Sequence, residues 1–89
     1  MYYYSIYIRG NKAYENGELY KAEDLYTQGI ISVPSSERSG CCLKPLLLCY
    51  SNRAATRRCL GRIREALGDS MMATALDPNF LKAQMRAAK

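Results

Sequence analysis

The chain has 89 residues, of which 48% are hydrophobic and 24% are charged, a composition typical of one small folded domain. Thirteen Lys and Arg against eight Asp and Glu give a net charge of +5, which favours an anionic partner. No stretch approaches the roughly 20 apolar residues of a membrane span, and the N-terminus lacks the regions of a signal peptide. These features predict no membrane partner and a location in the cytoplasm, with the nucleus as the alternative.

The residues that enzymes and metal sites use are scarce in this chain. There is no His, no glycine-rich phosphate loop and no C-x-x-C spacing among the four cysteines, so we expect no enzyme, no cofactor and no metal. Thiol chemistry at Cys41 and Cys42 would require a lowered pKa, which a sequence does not show. Cys49 and Cys59 fall within helical patterns, which predicts buried, reduced thiols.

Helical periodicity predicts helices at 3–16, 19–32, 45–60, 63–76 and 79–89. Gly17 and Gly61 separate the members of the first two pairs, and Asp77-Pro78-Asn79 ends one helix and begins the next. Residues 37–46, "ERSGCCLKPL", are rich in Ser, Gly and Pro and predict a loop, with Pro45 suited to the first turn of the following helix. No alternating pattern indicates a strand, so the predicted fold class is all-α.

The second half of the chain repeats the first at an offset of 44 residues. Gly17 aligns with Gly61, Ala22 with Ala66 and Pro34 with Pro78. One helical hairpin cannot bury its own apolar face, whereas stacked hairpins bury a continuous core. The repeat therefore predicts antiparallel helical hairpins packed side by side.

These residues resemble the tetratricopeptide repeat (TPR) family, whose period is about 34 residues. The match rests on small, aromatic and proline positions in both copies: Gly10, Ala22, Tyr26 and Pro34, then Tyr50, Ala54, Ala66, Ala73 and Pro78. The pattern departs at three positions where the family has aromatics, namely Ile6, Arg57 and Ser70. The resemblance implies one TPR domain over 1–89, a superhelix of about two and a half repeats: repeat 1 about 3–36, insert loop 37–46, repeat 2 about 47–80, and the first helix of repeat 3 at 81–89.

Three motifs on the first helices of the repeats, "GNKAY", "YSNRAA" and Lys-x-x-x-Arg, resemble the carboxylate-clamp TPR domains of co-chaperones. Those domains bind the C-terminal Glu-Glu-Val-Asp of the seventy- and ninety-kilodalton heat-shock chaperones. The resemblance implies a peptide-binding site made of Asn11, Asn52, Lys82, Arg86 and Tyr7. Tyr7 stands where the family has a basic residue. A neutral hydrogen bond contributes about 1 kcal/mol against roughly 1.5–3 for a charge-assisted one, which predicts weaker binding than a complete clamp.

Other interpretations remain open for several features. The arginines between 53 and 64 form either a solvated surface or a patch that assists acidic peptides: Arg53, Arg57, Arg58, Arg62 and Arg64. No recognition helix or RNA-stacking motif accompanies the positive charge, so nucleic acid is not the expected partner. The third repeat has one helix only, which predicts that the chain is a fragment. Its uncovered apolar edge would include Leu81 and Met85, and a second copy of the chain would cover this edge in a homodimer. Residues 35–57 also resemble TPR proteins that carry a J domain, although the His-Pro-Asp signature of that domain is absent.

Overall fold

Four helices account for most of the chain that the structure describes. The structure is a computed structural model that describes residues 2–34 and 43–79, with side chains from Ser5 onward. The helices are α1 (Tyr2–Glu15), α2 (Leu19–Ser32), α3 (Leu43–Cys59) and α4 (Ile63–Leu76), and these ranges contain no strand. The all-α class and the two helical hairpins are therefore confirmed. The helix predicted at 79–89 lies almost entirely outside the described residues.

The predicted and observed boundaries agree to within two residues, and the largest difference is at the start of α3. This helix begins at Leu43, so the last four residues of the predicted insert loop at 37–46 are helical. Pro45 is compatible with this position because the first N–H groups of a helix have no intrahelical partner. Leu46 and Leu47 are 0% and 3% exposed, and their burial favours the early start. Residues 37–42 lie outside the described ranges.

Two glycine turns give the hairpins the same geometry. Gly17 and Gly61 have φ of 80° and 81°, in the left-handed region that glycine adopts without a steric cost. Glu18 N donates to Ala13 O at 2.9 Å and Arg62 N donates to Arg57 O at 2.8 Å. Each bond joins the third residue after the helix to the carbonyl five positions earlier, which is the pattern of a Schellman C-cap. The repeat seen in the sequence is thus a repeat of backbone structure.

The core lies between the helices, and small residues allow close approach. The buried cluster contains mainly aliphatic and aromatic side chains: Ile6, Ala13, Ala22, Leu25, Tyr26, Ile30, Val33, Leu46, Leu47, Cys49, Tyr50 and Ala73. A Cβ added at Gly10 would lie 2.7 Å from Cε1 of Tyr26, so this glycine makes room for the tyrosine ring. α2 packs against both α1 and α3, while α1 and α3 also contact each other directly. That contact between α1 and α3 places side chains from the two hairpins next to one another.

Candidate functional site

A cavity of about 240 Å³ opens where α1 meets α3. Its walls come from α1, α2 and α3: Asn11, Tyr14, Glu15, Tyr26, Asn52 and Ala55. The structure thus places Asn11 and Asn52, two of the predicted peptide-binding residues, on the same cavity. Four further lining residues were not predicted as part of the site. Tyr14 and Glu15 lie three and four positions after Asn11, and Ala55 lies three after Asn52, so helical spacing was the available signal.

The two asparagine side chains are joined through one oxygen atom. Asn52 Nδ2 donates to Asn11 Oδ1 at 2.9 Å, and the Tyr26 hydroxyl donates to the same oxygen at 2.6 Å. Burial raises the pKa of Tyr26 to about 12, despite an opposing hydrogen bond with Asn52. The hydroxyl is therefore protonated, and able to donate, throughout the physiological pH range. Both hydrogen bonds that the structure describes for Asn11 fall on its oxygen, which leaves its nitrogen as the donor for a ligand.

The remaining predicted site residues are placed differently. Tyr7 lies on α1 one turn before Asn11, where it packs against the core with its ring centroid 6.3 Å from that of Tyr26. It is half-buried, and it lies beside the cavity instead of on its wall. Lys82 and Arg86 lie outside the described residues, so their part in the site stays a prediction.

Tyr14, on the wall of the cavity, lies next to a cysteine. The Tyr14 hydroxyl lies 3.5 Å from Cys59 Sγ, and this hydrogen bond raises the pKa of Tyr14. Cys59 is exposed, so the prediction that it is buried was wrong; it is the last residue of α3, beyond the helix's contacts with the core. Cys49 is buried as predicted, and burial raises the pKa of its thiol to about 12. Cys41 and Cys42 lie outside the described residues.

Three of the clustered arginines form a network of ion pairs with two carboxylates. Arg53 binds Asp69 with two bonds, of 2.9 and 2.6 Å, and Arg57 binds the same carboxylate at 3.0 Å. Arg57 also donates to Glu23 at 2.8 Å, and Arg62 donates to the other oxygen of Glu23. We call Glu23, Arg53, Arg57, Arg62 and Asp69 the arginine–carboxylate network.

Neither interpretation made from the sequence holds for Arg53 and Arg57. Their side chains are 14% and 17% exposed and are paired within the protein, so they form neither a solvated surface nor a patch for peptide. The sequence did not show this because the paired carboxylates lie on α2 and α4, between 12 and 34 positions away. Arg58 and Arg64 are exposed.

No group of acidic and cysteine side chains within 2–34 and 43–79 is arranged to hold a metal ion. Over the same residues, no helix has both the length and the apolar character needed to cross a lipid bilayer.

Comparison with known proteins relates the chain to TPR-containing proteins. It is 35% identical over 81 residues to DnaJ homolog subfamily C member 7 of Mus musculus, covering 91% of this chain and 14% of the relative. It is 32% identical over 81 residues to mitochondrial import receptor subunit TOM70 of Rattus norvegicus, covering 91% and 12%. Tetratricopeptide repeat protein 4 of Mus musculus is 33% identical over 75 residues, covering 83% and 19%.

These relatives support a TPR domain in this chain and indicate a module for protein–protein interaction. The chain spans less than a fifth of the length of each of these relatives. No family model matches the sequence, and no solved structure matches it.

Proposed function

We propose that this chain is a non-catalytic module that binds the acidic C-terminal peptide of a heat-shock chaperone, of the Glu-Glu-Val-Asp type, through a carboxylate clamp. The observation that carries the proposal is the meeting of Asn11 and Asn52 in one cavity between α1 and α3. Each belongs to a different repeat, and each was assigned to the site from its own motif. An amide donor in a partly buried cavity suits a carboxylate, because a hydrogen bond to an ionised acceptor is stronger than one to a neutral acceptor.

The charge balance and the relatives give further support. A net charge of +5 favours an acidic ligand, and Lys82 and Arg86 are the proposed partners for its carboxylates. One relative is a DnaJ homolog by name, which favours a co-chaperone role in the cytoplasm or nucleus. The arginine–carboxylate network contributes little of this attraction because its cations are already paired.

A peptide titration tests the proposal. A labelled peptide ending in Glu-Glu-Val-Asp is expected to bind saturably, and binding should be lost when its C-terminus is amidated or when Asn52 is changed to Ala. Gln28→Ala is the matched control, because Gln28 is exposed on α2 and its side chain is hydrogen-bonded to Asp24, at 3.0 Å, away from the cavity. No binding by a folded sample, or equal binding of the free and amidated peptides, would reject the clamp.

Self-association is the second candidate, and exposed apolar residues on α4 favour it. Ile63, Leu67 and Met71 follow each other at four-residue spacing and are 61%, 60% and 64% exposed. Such a row on one helix face is typical of a surface that another helix covers. Analytical ultracentrifugation of the same sample distinguishes peptide binding from self-association. A protein that binds the peptide and stays monomeric at high concentration supports the carboxylate clamp and not self-association.

A further inference from the structure

We propose that Tyr26 is a positioning residue for the peptide site, and that its hydroxyl fixes the orientation of the Asn11 amide so that Asn11 Nδ2 faces the ligand. The inference rests on the proposed function, because it assigns the donor within that same cavity. Tyr26 was predicted from the sequence only as a core aromatic of the repeat. Tyr26 is part of the core, but it also lines the cavity, and its hydroxyl bonds to Asn11 there.

The hydrogen bonds select one of two orientations of the Asn11 amide. An asparagine amide has nearly the same shape after a half-turn, which exchanges an acceptor oxygen for a donor nitrogen. In the observed orientation Oδ1 accepts from Tyr26 at 2.6 Å and from Asn52 Nδ2 at 2.9 Å. After a half-turn, Asn11 Nδ2 would face Asn52 Nδ2, and two donors would oppose each other. The site would then offer an oxygen to a carboxylate, which repels it.

The position of the hydroxyl is itself held by the packing of the Tyr26 ring. Tyr26 is 1% exposed, and its ring packs closely against Gly10 of α1, where a Cβ would come within 2.7 Å of it. The Tyr7 ring packs beside it, with the two ring centroids 6.3 Å apart. A hydrogen bond made by so buried a group is electrostatically stronger than one in water. The repeat core thereby determines which atom of Asn11 the ligand meets.

Asn52 has a divided role in this arrangement. One hydrogen of its amide is donated to Asn11 Oδ1, so that hydrogen is not offered to the peptide. Asn11, whose oxygen takes both internal bonds, keeps its whole NH₂ group for the ligand. We therefore assign Asn11 as the principal amide donor, with Tyr26 and Asn52 holding it in place.

The test removes the hydroxyl and keeps the ring. Tyr26→Phe is expected to weaken binding of the peptide ending in Glu-Glu-Val-Asp by about threefold to tenfold, the range of one neutral hydrogen bond. In an Asn11→Ala background the same change should have no further effect. Tyr20→Phe is the matched control, since Tyr20 is 73% exposed on α2, and its affinity should equal that of the unchanged protein. An equal loss of affinity with and without Asn11 would overturn the positioning role.

A second measurement does not depend on peptide binding. In NMR spectra of the unliganded protein, the Asn11 side-chain NH₂ signals, assigned by their loss in Asn11→Ala, should shift in Tyr26→Phe and stay unchanged in Tyr20→Phe. The Tyr26 hydroxyl proton should also exchange slowly with water in the unchanged protein, which tests the bond even if Tyr26→Phe does not fold.

The two measurements separate the two proposals. Unmoved Asn11 signals in a folded Tyr26→Phe protein, or a fast-exchanging hydroxyl, would reject the positioning role and leave the clamp standing. Slow exchange and shifted signals in a protein that does not bind the peptide would reject the clamp and leave the positioning of Asn11 supported.

Discussion

Asn11 and Asn52 are 41 positions apart in the chain, yet their amides meet at 2.9 Å because each lies on the first helix of its own hairpin. Stacking the hairpins brings α1 and α3 together, so side chains from the first helices of the two repeats become neighbours. Tyr26 adds a third polar atom from the core side. At the scale of residues, the candidate site thus consists of two asparagine amides and one tyrosine hydroxyl that are hydrogen-bonded to one another, with the tyrosine ring packed in the core.

Tyr7→Lys is expected to strengthen binding of the acidic peptide. Tyr7 lies one turn before Asn11 on α1, and a lysine there can keep its alkyl chain against the Tyr26 ring while its ammonium group reaches water. A charge-assisted bond is worth roughly 1.5–3 kcal/mol against about 1 for a neutral one, so a gain of about two- to thirtyfold in affinity is expected. Titration with the labelled peptide measures it.

Ile8→Lys is the matched control for this change. Ile8 is on the same helix and 51% exposed, so a lysine there adds the same charge away from the cavity. If Ile8→Lys strengthens binding as much as Tyr7→Lys does, the gain is a general effect of net charge. No gain from Tyr7→Lys in a folded protein would remove Tyr7 from the site.

At the scale of helices, the glycine turns determine where α1 and α3 end. Gly17 has a φ of 80° with open space around its Cα, so a substitution there is opposed by backbone conformation alone. Gly17→Ala is expected to lower the free energy of unfolding by about 1–2 kcal/mol, because an L-residue is disfavoured in the left-handed region. Urea denaturation followed by circular dichroism measures the change.

At Gly68 the same substitution, glycine to alanine, is expected to increase stability. Gly68 lies inside α4, and a Cβ there would meet nothing within 4 Å. Gly68→Ala should raise the free energy of unfolding by about 0.5–1 kcal/mol, because alanine loses less conformational freedom in a helix. If both substitutions changed stability in the same direction, the left-handed conformation of Gly17 would not be the cause.

At the scale of the whole molecule, the arginine–carboxylate network joins three helices. Glu23 is on α2, Arg53 and Arg57 are on α3, and Asp69 is on α4, where it is 3% exposed. Arg57 stands where the TPR pattern has an aromatic residue. Its guanidinium forms ion pairs with Glu23 and Asp69, whereas an aromatic ring would make apolar contacts. A departure from the family pattern thus became a polar link between the repeats.

The network predicts that stability falls in acid. Partial burial alone would raise the pKa of Glu23, but hydrogen bonds from Arg57 and Arg62 outweigh it and hold that pKa below its ordinary value. The unfolded chain therefore takes up a proton at a higher pH than the folded chain does. The contribution of Glu23 is present at neutral pH and is lost as the pH falls below the ordinary range of a glutamic acid. Thermal unfolding between pH 7 and pH 3 follows this loss.

Glu23→Gln isolates that contribution. The variant should be less stable than the unchanged protein at pH 7, with a difference that shrinks as the pH falls, because the missing charge no longer matters once Glu23 is protonated. Glu18→Gln is the control, since Glu18 is exposed and makes no ion pair in the described residues. A difference that stays constant with pH would show that Glu23 acts through packing.

The sequence by itself determined the helices and the two hairpins, whereas the nearness of Asn11 to Asn52 was implied by the family resemblance. The helix predictions depend on local signals: helical spacing of apolar residues, glycines at the turns, and prolines after helices. Such signals involve residues that are only a few positions apart, so they can be read directly from the sequence. The same locality explains the error at α3, because Ser, Gly and Pro indicated a loop up to residue 46, whereas the helix begins at Leu43 and Leu46 is already buried in the core.

The tertiary structure alone decided the rest of the candidate site. Whether Arg53 faces water or Asp69, whether Cys59 is covered, and whether the Tyr26 hydroxyl reaches Asn11 all depend on which side chains from other helices stand opposite. These partners lie 15 or more positions apart for Tyr26 and Arg53, and spacing along one helix does not contain that information. The role of a polar or charged side chain depends on the group from another helix that it contacts. The conformation of a glycine turn and the apolar face of a helix depend instead on residues nearby in the sequence.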